Sequence, residues 1–139
     1  MNVRLTIPWR LGFLVILLFV LVGELSAIFH DYVFYRVGVN RNVFLFVLWI
    51  LPAGAAFIAS YFSKRYKLLS GISYVIVLPI LGATAHYVSG QLGAPIDLSG
   101  LRGAFIVFKI YFVLGAIAAS VGTTLGLLLS RQRSGQDSL

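Results

Sequence analysis

Apolar residues run almost unbroken through four stretches of the chain, residues 11–29, 43–63, 68–88 and 104–129, and polar residues gather between them. A bilayer hydrocarbon core of ~30 Å needs about twenty mostly apolar residues in helical form, so each stretch is long enough to cross. The pattern predicts an all-α integral membrane protein, a single four-transmembrane-helix bundle spanning residues 1–139. Pro8 and Trp9 precede the first span, placing the indole at headgroup level. Residues 30–42 carry aromatics with Arg36 and Arg41 and suit an interfacial turn. Lys64, Arg65 and Lys67 make a tight basic connection. Residues 89–103, with their Gly, Pro and Ser, form the longest loop. The polar tail 130–139 is expected to fray.

Composition narrows the class. Of 139 residues, 60% are hydrophobic and 11% charged, and the mean hydropathy is +0.97; a soluble domain of this make-up would aggregate. The net charge of +7 therefore points to lipid headgroups and topology, with no nucleic acid as partner. Arg4, Arg10, Lys64, Arg65, Lys67, Arg131 and Arg133 fall on one side, against Arg36, Arg41 and Arg102 on the other, with Lys109 inside the membrane. Basic residues mark the cytoplasmic side. Both termini are thus expected in the cytoplasm, N-in/C-in, with a bacterial inner (plasma) membrane as the expected location. The first apolar run is too long for a secretory signal and lacks a small-x-small cleavage pattern, so it is read as a retained anchor. Cysteine is absent, which excludes thiolate nucleophiles, disulfide exchange and Cys-bound clusters.

The fourth span has two faces. Gly115, Ala119, Gly122 and Gly126 fall on one of them, where small residues four apart let two backbones approach closely. That face is expected to be buried against a helix of this chain or of a second copy. Lys109, Ala116, Ser120 and Thr123 share the other, polar stripe. Pro52 and Pro79 sit near the middle of the second and third spans and free the carbonyls of Leu48 and Val75, so a kink is expected at each. Paired breaks can also border a substrate site.

Glu24 is the only charged side chain in the first span, and a carboxylate there costs on the order of 3 kcal/mol to insert. It needs a partner. Lys109 enters from the opposite side to a matching depth, and His86 lies near the outer end of the third span, so Glu24, Lys109 and His86 are expected to form one intramembrane polar cluster in the outer half. His30 and His86, with Asp31, are the candidates for a metal or haem, although two His on separate helices with no motif spacing say little about ligation. No metal site and no cofactor are expected. The sequence contains no G-x-S-x-G, H-E-x-x-H or phosphate-binding glycine loop.

Three roles fit these features. The expected one is a small multi-pass protein without catalytic chemistry of its own, a homo-oligomer or a subunit packed through the Gly115–Gly126 face on a larger membrane partner, with an accessory, regulatory or structural role. The alternative is a small oligomeric transporter or channel using Glu24, Lys109 and His86. A third is a membrane enzyme acting on lipid headgroups, with His86 and Asp97 as acid and base; the absence of any soluble domain weighs against it.

Overall fold

The structure, a computed structural model, describes residues 7–96 and 98–136, with side chains to Arg133. Helix α1 covers Ile7–Ile28, α2 Arg41–Phe62, α3 Lys67–Ile72, α4 Tyr74–Gln91 and α5 Gly100–Gln136. Since α3 and α4 run on as one segment, Lys67–Gln91, four helical segments among the described residues are long and apolar enough to cross a membrane. No strand occurs among the described residues. The ends where α1 and α3 start and α2 and α5 finish form one pole, here called proximal. The opposite pole is distal.

Each boundary has a local cause. Asn40 caps α2, its side-chain oxygen accepting from the amides of Asn42 at 2.9 Å and Val43 at 3.4 Å. Between α1 and α2 the chain makes a π-helical turn, Tyr32–Arg36, closed by the Val37 amide on the Tyr32 carbonyl at 2.9 Å. The helix of the third segment is interrupted at Ser73, where the Ser73 hydroxyl donates to the Ser70 carbonyl at 2.9 Å, beside Gly71. A Ser-Gly pair with a back-bonded hydroxyl bends a helix readily. Pro52 and Pro79 lie inside the continuous helices α2 and α4, fully buried. The interruption of the third segment therefore lies more than a turn before Pro79.

Several boundaries differ from those read in the sequence. The loop expected over residues 89–103 is shortened at both ends, because α4 continues to Gln91 and α5 begins at Gly100. Helix α5 also continues through Ser130 to Gln136, where a frayed tail was expected. At ~1.5 Å per residue its length is roughly 55 Å, well beyond a bilayer core of ~30 Å. Its polar end therefore projects past the apolar region. Trp9 packs on the protein: its indole stacks on Phe13 at 5.4 Å and Tyr74 at 5.8 Å, and its Nε1 donates to Ser73 Oγ at 2.9 Å. The Tyr74 hydroxyl in turn donates to the Trp9 carbonyl at 2.5 Å.

The core is narrow. Ile16, Phe19 and Val20 of α1 meet Ala55, Ala56 and Ala59 of α2, Tyr74 and Leu78 of α4, and Ala119 of α5. Leu14, Leu18, Phe46, Ile76, Val113 and Ile117 point outward, an exposed apolar surface that suits lipid and would not suit water. Helix α5 packs on α2 and α4, and α1 on the same two helices. The Gly115–Gly126 face is the contact of α5 with this chain's own helices. A β-carbon on Gly122 would collide with the backbone of Ala53, and one on Gly126 with Ser60 Oγ and the Phe57 carbonyl. Gly115 lies against Leu78 and the backbone of Tyr74 and Val75. Ser60 adds a weak hydrogen bond across the seam, to the Thr123 carbonyl at 3.5 Å.

Candidate functional site

Between the last turn of α1, the end of α4, the residues Pro95, Ile96 and Leu98, and the first turns of α5 lies an open cavity of about 770 Å³. Apolar side chains such as Ile28, Ile96 and Ile106 make up most of its wall, with His30, Asp31, Tyr32 and His86 as the titratable residues among those lining it.

His86 forms part of the floor and is nearly buried, its side chain 12% exposed. Its Nε2 stands 2.9 Å from the carbonyl oxygen of Leu98. Because a carbonyl only accepts, this nitrogen carries a hydrogen. Its Nδ1 faces Oε1 of Glu24 at 3.3 Å. Glu24 lies one turn below the end of α1, its side chain 11% exposed, and Oε1 is buried with no hydrogen-bond donor aligned on it. With Nε2–H committed to Leu98, Nδ1 and Oε1 would oppose lone pairs if neither were protonated. The contact is attractive only when one proton resides on the imidazole or on the carboxyl group.

Backbone geometry makes room for this arrangement. A β-carbon on Gly103 would run into the Leu98 carbonyl and come within 3.0 Å of His86 Nε2. Gly93 and Gly100, at φ +78° and +79°, flank the cavity-lining residues Pro95, Ile96 and Leu98 and adopt a conformation that costs other residues more than glycine. Behind the pair stands Tyr111 of α5. Its ring occupies the space a side chain at Gly82 would need, meets Phe19 edge-on at 5.8 Å, and brings its hydroxyl to Gly23, next to Glu24. Tyr111 thus wedges α1 from α4 beneath the cavity. Sequence reasoning passed over it, although Gly23 and Gly82 were the available signal for a ring between two helices.

At the rim, Arg41 Nη2 donates to His30 Nε2 at 3.2 Å and His30 Nδ1 donates to Asp31 Oδ1 at 3.3 Å. A guanidinium only donates, so His30 holds its single proton on Nδ1. Arg41 also lies over the Phe34 ring at 5.7 Å. This chain of contacts ties the π turn to the start of α2.

The expected cluster of Glu24, Lys109 and His86 is therefore corrected. The structure brings Glu24 and His86 together but leaves Lys109 out: it is exposed on the outer face of α5, with Nζ 4.5 Å from the centre of the Phe105 ring. Side chains on a helix lean toward its N-terminus, so Lys109 reaches back over Phe105 toward the distal surface and away from the bundle interior. The polar stripe drawn through it also divides, since Thr123 is buried against Gly71 while Ser120 is exposed. His30 and His86 line one cavity, yet all four of their ring nitrogens face the partners named above. Among the described residues, no three His, Asp or Glu side chains group as metal ligands would. Asp97, paired with His86 in the enzyme reading, lies outside the described residues.

Comparison of the chain with protein-family models, with curated proteins and with solved structures returned no match.

Proposed function

We propose that this chain is a multi-pass membrane protein with both termini in the cytoplasm. It binds a small ligand from the opposite side, in a proton-dependent way, as a binding or transport component without covalent chemistry of its own. The observation that carries this reading is the Glu24–His86 contact in the floor of the distal cavity. An intramembrane carboxylate marks a functional site by default, because burial of its charge is costly. Here the carboxylate has a histidine partner and a cavity beside it, and their contact requires one proton. Anything that displaces that proton, or reorients His86, couples the cavity to the pair.

The chain's lack of cysteine makes single-cysteine variants clean probes. A cysteine at Ile96, on the cavity wall, is expected to react with a membrane-impermeant thiol reagent added outside right-side-out vesicles. Beyond the pH dependence that ionisation of the probe thiol itself gives in any background, the wild-type background should show a further dependence on external pH that Glu24→Gln removes. Reaction from the cytoplasmic side alone, or a pH profile untouched by Glu24→Gln, contradicts the proposal.

A complex-forming role keeps one observation in its favour. Lys109 lies on an exposed face among Phe105, Ile110, Phe112 and Val113, a charge in an apolar surface that a partner carboxylate would match. The Gly115–Gly126 face no longer supports that role, being occupied by α2 and α4. A stoichiometric foreign protein co-purifying with the wild type and lost with Lys109→Met would establish it.

A further inference from the structure

We propose that the ligand of the distal cavity is an amphiphilic organic cation, with an ammonium head against the His86–Glu24 floor and an apolar tail in a groove along α1. This rests on the proton-linked site proposed above and names its substrate class.

The head follows from charge. No Lys or Arg is among the described residues lining the cavity. Arg41, at the rim, is engaged with His30 and Phe34. Lys109 faces away, over Phe105, and Tyr111 approaches Gly23 from behind the pair. Facing the cavity are Asp31 at the mouth and His86, backed by Glu24. An anionic head would meet the Asp31 carboxylate at the mouth, with Glu24 behind the His86 floor, and no Lys or Arg among the described lining residues. Glu24 Oε1 has no hydrogen-bond donor aligned on it and is enclosed behind His86, outside the cavity lining, so an ammonium supplies the missing donors once the His86 ring swings aside.

The tail follows from continuity. A second hollow of about 400 Å³ lies along α1, lined by Val22, Leu25, Ser26, Phe29, Tyr32 and Val33, and it shares Phe29 and Tyr32 with the cavity. The Ser26 hydroxyl donates to the Val22 carbonyl at 2.7 Å, so the hollow presents no free polar hydrogen from that side chain. From Tyr32 to Val22 it descends roughly 15 Å at ~1.5 Å per residue, toward the middle of the span. A polar-headed cavity opening onto an apolar groove fits an amphiphile better than a wholly hydrophilic solute.

The exchange conserves charge. The amine arrives as R–NH₃⁺, the His86 ring swings off Glu24, the ammonium N–H groups take the place of the proton that the pair held, and that proton leaves through the cavity. One positive charge enters and one leaves. No covalent bond other than the one to the departing proton changes.

The test is calorimetric titration of the whole protein in zwitterionic-lipid nanodiscs, with empty nanodiscs subtracted, in buffers of different ionisation enthalpy. The probes are dodecylammonium, dodecanol, dodecanoate and butylammonium. Dodecylammonium should bind about tenfold or more tightly than dodecanoate and release about one proton. Glu24→Gln, with melting behaviour checked to confirm its fold, should abolish the release. Leu25→Trp, which fills the groove from an exposed position, should cancel the advantage of dodecylammonium over butylammonium. If dodecanoate or dodecanol binds best and proton exchange still vanishes with Glu24→Gln, the cation assignment is overturned and the proton-linked site stands. If Leu25→Trp leaves the chain-length advantage intact, the groove is overturned. If no probe binds above empty nanodiscs and none exchanges a proton, the cation and the site fall together.

Discussion

His86 Nδ1 stands 3.3 Å from Glu24 Oε1 while the same ring's Nε2 is held by the Leu98 carbonyl at 2.9 Å. One imidazole thereby joins the last turns of α1 and α4 to the segment leading into α5. Substitutions at this contact should divide by hydrogen-bonding pattern. In Glu24→Gln the amide donates to Nδ1 without an added proton, so stability is expected within about 1 kcal/mol of wild type. Glu24→Ala leaves Nδ1 without a partner and should cost about 1–3 kcal/mol. His86→Ala strands a buried carboxyl group and should cost on the order of 3 kcal/mol. Unfolding in nanodiscs ranks the three, and the order Gln, Ala at 24, then Ala at 86 is the expected one.

The small-residue face of α5 is an intramolecular seam, and Gly122 is its tightest point for a side chain against backbone. Gly122→Leu drives bulk into the backbone of Ala53, which has no flexible end to yield, so a loss of at least about 1–3 kcal/mol is expected. Sedimentation should show an unchanged oligomer distribution alongside the lower melting temperature. A shifted oligomer with normal stability would place the seam between copies instead.

Lys109 behaves differently in the structure than its sequence position suggests. Its ammonium contacts Phe105 and is ion-paired with no carboxylate among the described residues. Lys109→Met should therefore change stability by no more than about 0.5 kcal/mol, and a double-mutant cycle with Glu24→Gln should show no coupling. A coupling above about 0.5 kcal/mol would restore the pair.

The four crossings were legible because about twenty apolar residues in a row have few other uses, and Gly115, Ala119, Gly122 and Gly126 announced a close helix contact by their spacing alone. Glu24 was legible as a residue in need of a partner. Which partner was not. Depth along a helix can be counted from sequence, but the direction of Lys109 around α5 depends on where α5 turns its glycines, and those turn toward α2 and α4. Tyr111 was hidden for a related reason, since an aromatic in a span looks the same whether it meets lipid or fills the gap between Gly23 and Gly82. The length of α5 escaped because Ser130, Arg131 and Arg133 resemble a tail by polarity, although nothing among them breaks a helix.

Orientation rests on the basic residues of the proximal end, Lys64, Arg65, Lys67, Arg131 and Arg133, and is tested apart from the site. Cysteines placed at Gln91 and Gln132, both exposed, should react with an impermeant thiol reagent from outside and from the cytoplasm respectively. The reverse labelling pattern would invert the topology and put the cavity on the cytoplasmic side.

The central claim is that Glu24 and His86 share one proton while Nε2–H is fixed on Leu98. Side-chain nitrogen NMR on ¹⁵N-histidine-labelled protein in nanodiscs, with His30→Gln to leave His86 as the sole histidine, reads both ring nitrogens directly. The predicted result is an Nε2 that stays protonated in wild type and in Glu24→Gln, with the wild-type pair holding one proton, either on Nδ1 or on the carboxyl of Glu24, which is the one Glu of the sequence and is read by its ¹³C shift. An Nε2 without its proton, or a bare Nδ1 beside an ionised Glu24 carboxylate, would contradict it.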